Sequence, residues 1–146
     1  MKIKTLAVIF FILFSFIGHS QDDKRDKIKV LKTAFFTQEL QLTSAEAEKF
    51  WPIYNEYDNK IYNLKKTERK EVHKIVKKEL ESLTDNQAEL LVKKIQQLRI
   101  EESKLKTDLE EKLTTQLGAK RVLRLKKAEY DFHKQLLDSY RKEKKN

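Results

Sequence analysis

The sequence predicts an all-α fold of about four helices, two of them long, arranged as an elongated antiparallel helical bundle or hairpin. Three observations carry that prediction. The chain has only two Gly and one Pro among 146 residues, too few turn formers for a β-rich fold. Apolar residues recur at spacings of three and four over most of the chain beyond residue 25, the period of a helix with one buried face. A helix-start element, Leu42-Thr43-Ser44-Ala45-Glu46-Ala47, is echoed at Leu83-Thr84-Asp85-Asn86-Gln87-Ala88.

The N-terminus reads as a cleaved secretory signal over residues 1–20. Lys2 and Lys4 form a basic start, residues 5–17 are apolar, and Gly18-His19-Ser20 precedes Gln21. The alternative is an uncleaved anchor, which the shortness of the apolar run disfavours. Cleavage leaves residues 21–146 as a single domain by length. With no Cys in the chain, a lipoprotein anchor, disulfides and thiolate metal sites are excluded.

The leader holds two of the 32 Lys and Arg and none of the 23 Asp and Glu, so the remainder keeps a formal charge of about +7. An exported protein rarely meets nucleic acid, so none is expected as a partner. Acidic polypeptides, anionic lipid headgroups or acidic envelope polymers fit the charge better. Much of it is also what solvated helix faces carry, since Lys and Glu are interspersed.

Residues 21–25 are polar and read as frayed. The first helix runs from Asp26 to about Leu40, with Ile28, Leu31, Ala34 and Phe35 on its apolar side and Val30 and Phe36 widening it. Thr43 then caps the second helix, with Glu46 placed to close a capping box and Leu42 at the staple position. This helix carries Ala47, Phe50, Trp51, Tyr54, Tyr57, Ile61 and Leu64 on one side, and the pattern resumes at Val72, Ile75, Val76 and Leu80. The polar interval 65–71 is either exposed helix or a local break; the lack of Gly and Pro favours continuity. Pro52 inside this helix cannot donate to the Glu48 carbonyl and predicts a kink held by the aromatics around it. Alternatively the helix starts later, with Pro52 in its first turn.

Thr84 and Gln87 form the second start signal. The third helix shows Leu91, Ile95, Leu98, Leu105, Leu109 and Leu113, a nearly heptad, coiled-coil-like series interrupted at Glu102. A loop is expected around Gly118. The fourth helix carries Val122, Leu125, Ala128, Phe132, Leu136 and Tyr140 beside Leu123 and Leu137. Residues 141–146 read as a disordered basic tail.

Catalytic chemistry is not visible. The sequence lacks a Gly-rich phosphate loop, a nucleophile elbow and a His-Glu-x-x-His pair. His73 and His133 could in principle meet at a metal, but their spacing fits scattered surface residues better. No acid pair sits in an apolar setting of the kind that tunes a pKa for catalysis. The expectation is a non-enzyme with no catalytic, cofactor or metal residues. Phe50, Trp51, Pro52, Tyr54 and Tyr57 are the candidate site. As aromatics at helical spacing they read as core, and alternatively as part of an exposed surface that binds apolar segments of other proteins.

The duplicated Leu-Thr-x-x-Glu/Gln element resembles the Spy/CpxP-like LTxxQ-motif proteins of the bacterial periplasm. More narrowly, Leu42-Thr43-x-x-Glu46-Ala47-x-x-Phe50-Trp51-Pro52-Ile53-Tyr54-Asn55-Glu56-Tyr57, with Lys126-Lys127-Ala128-Glu129-Tyr130-Asp131-Phe132 and Leu136-Leu137, looks like the subgroup known as sensor of ECF-type sigma factor. The first element has Glu46 where the family motif has Gln. The resemblance implies a periplasmic protein of about four helices, in the parent family often a cradle-shaped antiparallel dimer. It also implies an ATP-independent chaperone or an envelope-stress modulator.

With the export signal and the basic faces, three functions are expected, in this order. The first is binding of unfolded or signalling polypeptides in an envelope stress response. The second is service as a regulatory partner of an ECF sigma/anti-sigma system. The third is a structural helical role at the envelope surface, with weak contact to anionic membrane.

Overall fold

Thr43 and Thr84 each cap a long helix with the same hydrogen bonds. The Thr43 N–H and hydroxyl donate to Glu46 Oε2 at 2.9 and 3.1 Å, and the Glu46 N–H donates back to Thr43 Oγ1 at 3.3 Å. The Thr84 N–H and hydroxyl reach Gln87 Oε1 at 2.9 and 3.1 Å, and the Gln87 N–H returns at 3.3 Å. Both threonines are extended, the conformation that turns a cap side chain back onto the first turn. The first box puts the start of its helix at Ser44, so Pro52 is an interior proline.

The computed structural model of the chain describes residues 20–143. The leader reading, apart from Ser20, lies outside the described residues, as does the end of the basic tail, 144–146. The described residues form helices α1 (Ser20–Leu40), α2 (Ser44–Glu68), α3 (Lys74–Glu79), α4 (Asp85–Leu117) and α5 (Ala119–Glu143). A π segment, Arg69–His73, joins α2 to α3, and a 3-10 turn, Leu80–Ser82, follows. There is no strand among the described residues, and the fold is all-α.

Two boundaries differ from expectation. Helix α1 is already formed at Ser20 rather than Asp26, because residues 21–25 contain no Gly or Pro to stop it. Helix α5 continues to Glu143, past the expected onset of the tail at Arg141. Arg141 and Lys142 fall in its last turn, where cations are favoured by the negative end of the helix dipole.

The chain divides into two compact units, Met1–Gln41 with Lys127–Asn146, and Leu42–Lys126. In the first, α1 meets the later part of α5. Phe36 and Phe132 lie edge to face at 5.9 Å, with Phe35 at 5.7 Å from Phe132. Phe36, Leu40, Ala128 and Phe132 are buried. Val30 and Leu31, expected on the apolar side of α1, stay 70% and 57% exposed, and Ala34 is exposed too. Tyr140 of α5 is likewise exposed. Gln41 ends α1 with φ of 52°, a left-handed residue whose N–H reaches the Gln38 carbonyl at 3.0 Å.

The second unit is built on α2 and α4, which run antiparallel. Lys65 pairs with Glu102 at 2.7 Å and Glu71 with Lys94 at 3.0 Å, so rising numbers on one helix meet falling numbers on the other. Leu64, Val72 and Leu98 form a buried cluster flanked by Leu91 and Ile95. The interval 65–71 is continuous helix, as its composition suggests, but it includes a π turn in which the Lys74 N–H reaches the Arg69 carbonyl. On an uninterrupted α-helix Val72 would lie about 80° round from Leu64. The extra residue of a π turn winds the chain back and lets Val72 join the cluster. Val76 and Leu80, expected on the same stripe, keep 40% and 51% of their surface open, because the cluster ends before this last stretch of helix.

Gly118 alone links α4 to α5. Its φ of 84° and ψ of 152° suit glycine, and a Cβ there would touch nothing, so backbone conformation rather than space requires it. Glu110 and Lys126, equally far from Gly118 on either side, form an ion pair. The start of α5 therefore turns back along α4.

Candidate functional site

The aromatic residues singled out by sequence are brought together by helical spacing on α2. Phe50 and Tyr54 stack at 5.4 Å with their planes 17° apart, and Trp51 stands edge-on to both, at 4.9 and 5.9 Å. Tyr57 continues the row at 5.8 Å from Tyr54. Phe50 has no exposed surface and Tyr54 has 3%, while Trp51 and Tyr57 are half-buried and Pro52 is exposed. The first two are core, held by area burial and by favourable edge-to-face and offset contacts. The other two keep part of their surface open to solvent. Pro52 leaves the Glu48 carbonyl without its usual helical donor.

Beyond Tyr57, a groove of about 590 Å³ runs between α2 and α4. Leu64, Leu98 and Leu105 contribute its apolar lining, and Lys60, Lys94, Lys104, Glu101 and Asp108 its charged lining. A smaller recess extends it toward Ile53 and Tyr57, sharing Lys60, Leu105 and Asp108. The groove is open to solvent along its length and offers both apolar contact and charge of either sign. That combination suits an extended or helical polypeptide better than a small ligand, which needs enclosure.

Glu102 breaks the apolar series of α4 because its carboxylate is an ion-pair hub. It accepts from Lys65 of α2 at 2.7 Å and from Lys106 one turn on at 2.8 Å. Lys106 first, then Lys65, hold the Glu102 carboxyl below the usual carboxylate range. Glu102, and then Glu68 at 3.1 Å, push the Lys65 ammonium up. A polar residue at an apolar position was the available signal, but its partner lies on another helix and could not be read from spacing.

Glu46 has a similar double role. Its Oε2 closes the capping box, and its Oε1 faces the Arg121 guanidinium at the start of α5. Arg121 Nη1 is cut off from solvent and lies against this carboxylate. The Thr43 N–H, then Arg121, hold the Glu46 carboxyl below the usual carboxylate range.

His73 is exposed, with Nε2 at 3.7 Å from Glu68, and His133 is exposed on α5. Among the described residues no cluster of three or more His, Cys, Asp or Glu could hold a metal ion. No helix among them is long and apolar enough to cross a membrane. These features define an all-α protein with a groove between α2 and α4. Comparison with protein-family models, with curated proteins and with solved structures gave no match.

Proposed function

We propose that the protein is an exported, non-catalytic polypeptide-binding protein of the Spy/CpxP-like kind, acting in the periplasm without ATP in an envelope stress response. The observation that carries this reading is the α2–α4 groove, with leucines in its lining and charges of both signs around them. An unfolded segment offers what such a groove accepts: an apolar side chain for the half-buried Leu105, over a floor closed by the edges of Leu64 and Leu98, and charged neighbours for the lysines and carboxylates. The half-buried ring of Tyr57 lines the recess that continues the groove, and Trp51 stands on the same helix. The paired capping elements and the Phe-Trp-Pro-Ile-Tyr block support the family resemblance.

The test is to mix the protein lacking residues 1–20 with several chemically denatured substrates at near-equal amounts and follow light scattering. Suppressed aggregation is expected, and Leu105→Glu, which puts a charge into the half-buried groove lining, should weaken it. Aggregation that proceeds unchanged for every substrate would overturn the chaperone reading. Capture of one dominant partner after crosslinking, with no general suppression, would favour the regulatory sensor role instead.

A further inference from the structure

The π segment and α3 carry a face that neither the core nor the groove uses. Lys70, Lys74 and Lys77 follow one another at four and three residues and so form a row along the helix, with Lys78 beside it. All four are exposed, and none is engaged by an ion pair among the described residues. His73 and Val76 lie beside this row, and Leu80 follows in the 3-10 turn that ends the helix. Val76 and Leu80 keep 40% and 51% of their surface open. Over residues 69–81 there are five Lys and Arg against three Glu. Glu71 is taken by Lys94, and Glu79 lies about 140° round the helix from Lys74. Glu81, in the 3-10 turn that follows α3, adds one carboxylate at the end of the row, so the four lysines leave an excess of positive charge on this face.

We infer that this face docks the protein onto an anionic phospholipid bilayer, with the lysine row against the headgroup phosphates and Val76 and Leu80 entering the acyl boundary. Charge complementarity selects an anionic partner. The form of the face selects a bilayer over an acidic polypeptide. It is one exposed helix side outside the groove, whose lining includes none of these residues, so a bound chain would have no walls to hold it. A bilayer is a broad surface that needs none. The cations of the row are lysines, whose long stems carry a point charge to the headgroup level while the aliphatic part lies along apolar surface. Cations beside exposed apolar side chains are the pattern of surfaces that lie in a membrane interface.

The experiment is co-sedimentation of the protein lacking residues 1–20 with phosphatidylcholine vesicles, and with the same vesicles containing phosphatidylglycerol. Binding is expected only to the anionic vesicles. It should weaken about fivefold per lysine removed near the surface. The combined Lys70→Gln, Lys74→Gln, Lys77→Gln and Lys78→Gln variant should therefore lose several hundredfold, with its helical circular dichroism intact. Replacing the equally exposed Lys27, Lys49, Lys120 and Lys134 by Gln should cost far less; an equal loss would assign binding to bulk charge and overturn the proposal. Val76→Ser with Leu80→Ser should remove the part of the binding that survives added salt. No binding to anionic vesicles, or displacement of the same lysines' contacts by soluble polyglutamate in preference to lipid, would also overturn it.

Discussion

The Glu46 carboxylate and the Arg121 guanidinium join the first turn of α2 to the first turn of α5, while the other oxygen of Glu46 closes the capping box on Thr43. The second capping element has no such demand. Gln87 accepts the Thr84 N–H and hydroxyl on Oε1, and an amide serves that purpose as well as a carboxylate. The difference between Glu in one element and Gln in the other thus has a local electrostatic cause.

Glu46→Gln should keep the cap and lose the ion pair, lowering the urea midpoint. Arg121→Gln should lower it as well. Because both substitutions break the same contact, the double variant should lose less than the two separate effects added together. Strict additivity in urea titrations would show that the pair contributes no coupling.

The acid side of the stability profile follows from the same carboxylates. Glu46 and Glu102 are both held below the ordinary carboxylate value of 4.5. A group depressed in the folded state stabilises the fold above its unfolded value, and that contribution disappears as pH falls through the folded one. The urea midpoint should therefore hold from neutrality down to the ordinary carboxylate range and drop beneath it. Lys65, raised above 10.5, has the opposite sign: its contribution is complete below that value and is lost as pH rises through the raised one. Glu102→Gln should flatten part of the acid limb. An unchanged acid limb in this variant would place the titration elsewhere.

Each threonine cap supports one end of the α2–α4 pair. Thr43→Ala and Thr84→Ala should each cost about 1 kcal/mol, the usual loss for an N-cap. Restoration of most of that by Ser, but not by Val, would separate the hydroxyl from the side-chain volume.

The aromatic row should split by burial. Phe50→Ala should cost about 4 kcal/mol, since the ring is fully enclosed. Trp51→Ala should cost about half as much, because part of its ring is already open to solvent. If Trp51→Ala leaves the denaturation midpoint unmoved but abolishes suppression of aggregation, the ring is a working surface and not core.

Much of the helix layout was legible because its causes are local. Thr43 and Thr84 announce their helices by side chains that bond within three residues, and Gly118 marks a break that only its own φ requires. Phe50, Leu64, Leu98, Leu109 and Leu113 are buried where their spacing placed them. The same rule failed at Val30, Leu31, Val76 and Leu80. Periodicity tells which side of a helix is apolar, but not whether another element covers that side. Glu102 and Arg121 were missed because each is explained by a partner distant in sequence. The groove was invisible for a related reason, since its two walls, at residues 60–67 and 94–108, meet only after the chain folds back.

The π turn at Arg69–His73 has one more consequence. A π turn is equivalent to one residue inserted into an α-helix without disturbing the ladder on either side. Helix α2 and its continuation into α3 therefore carry a residue that the surrounding hydrogen-bond pattern does not need. A shortening by one position within 69–71, ahead of Val72, leaves a plain α-helix in which Leu64 and Val72 come to stand seven residues apart, still on one side of the helix. The same length change within α4, where Leu98, Leu105, Leu109 and Leu113 keep strict step, would turn every later leucine away from the core. This helix has a place where its sequence can change length and keep its register.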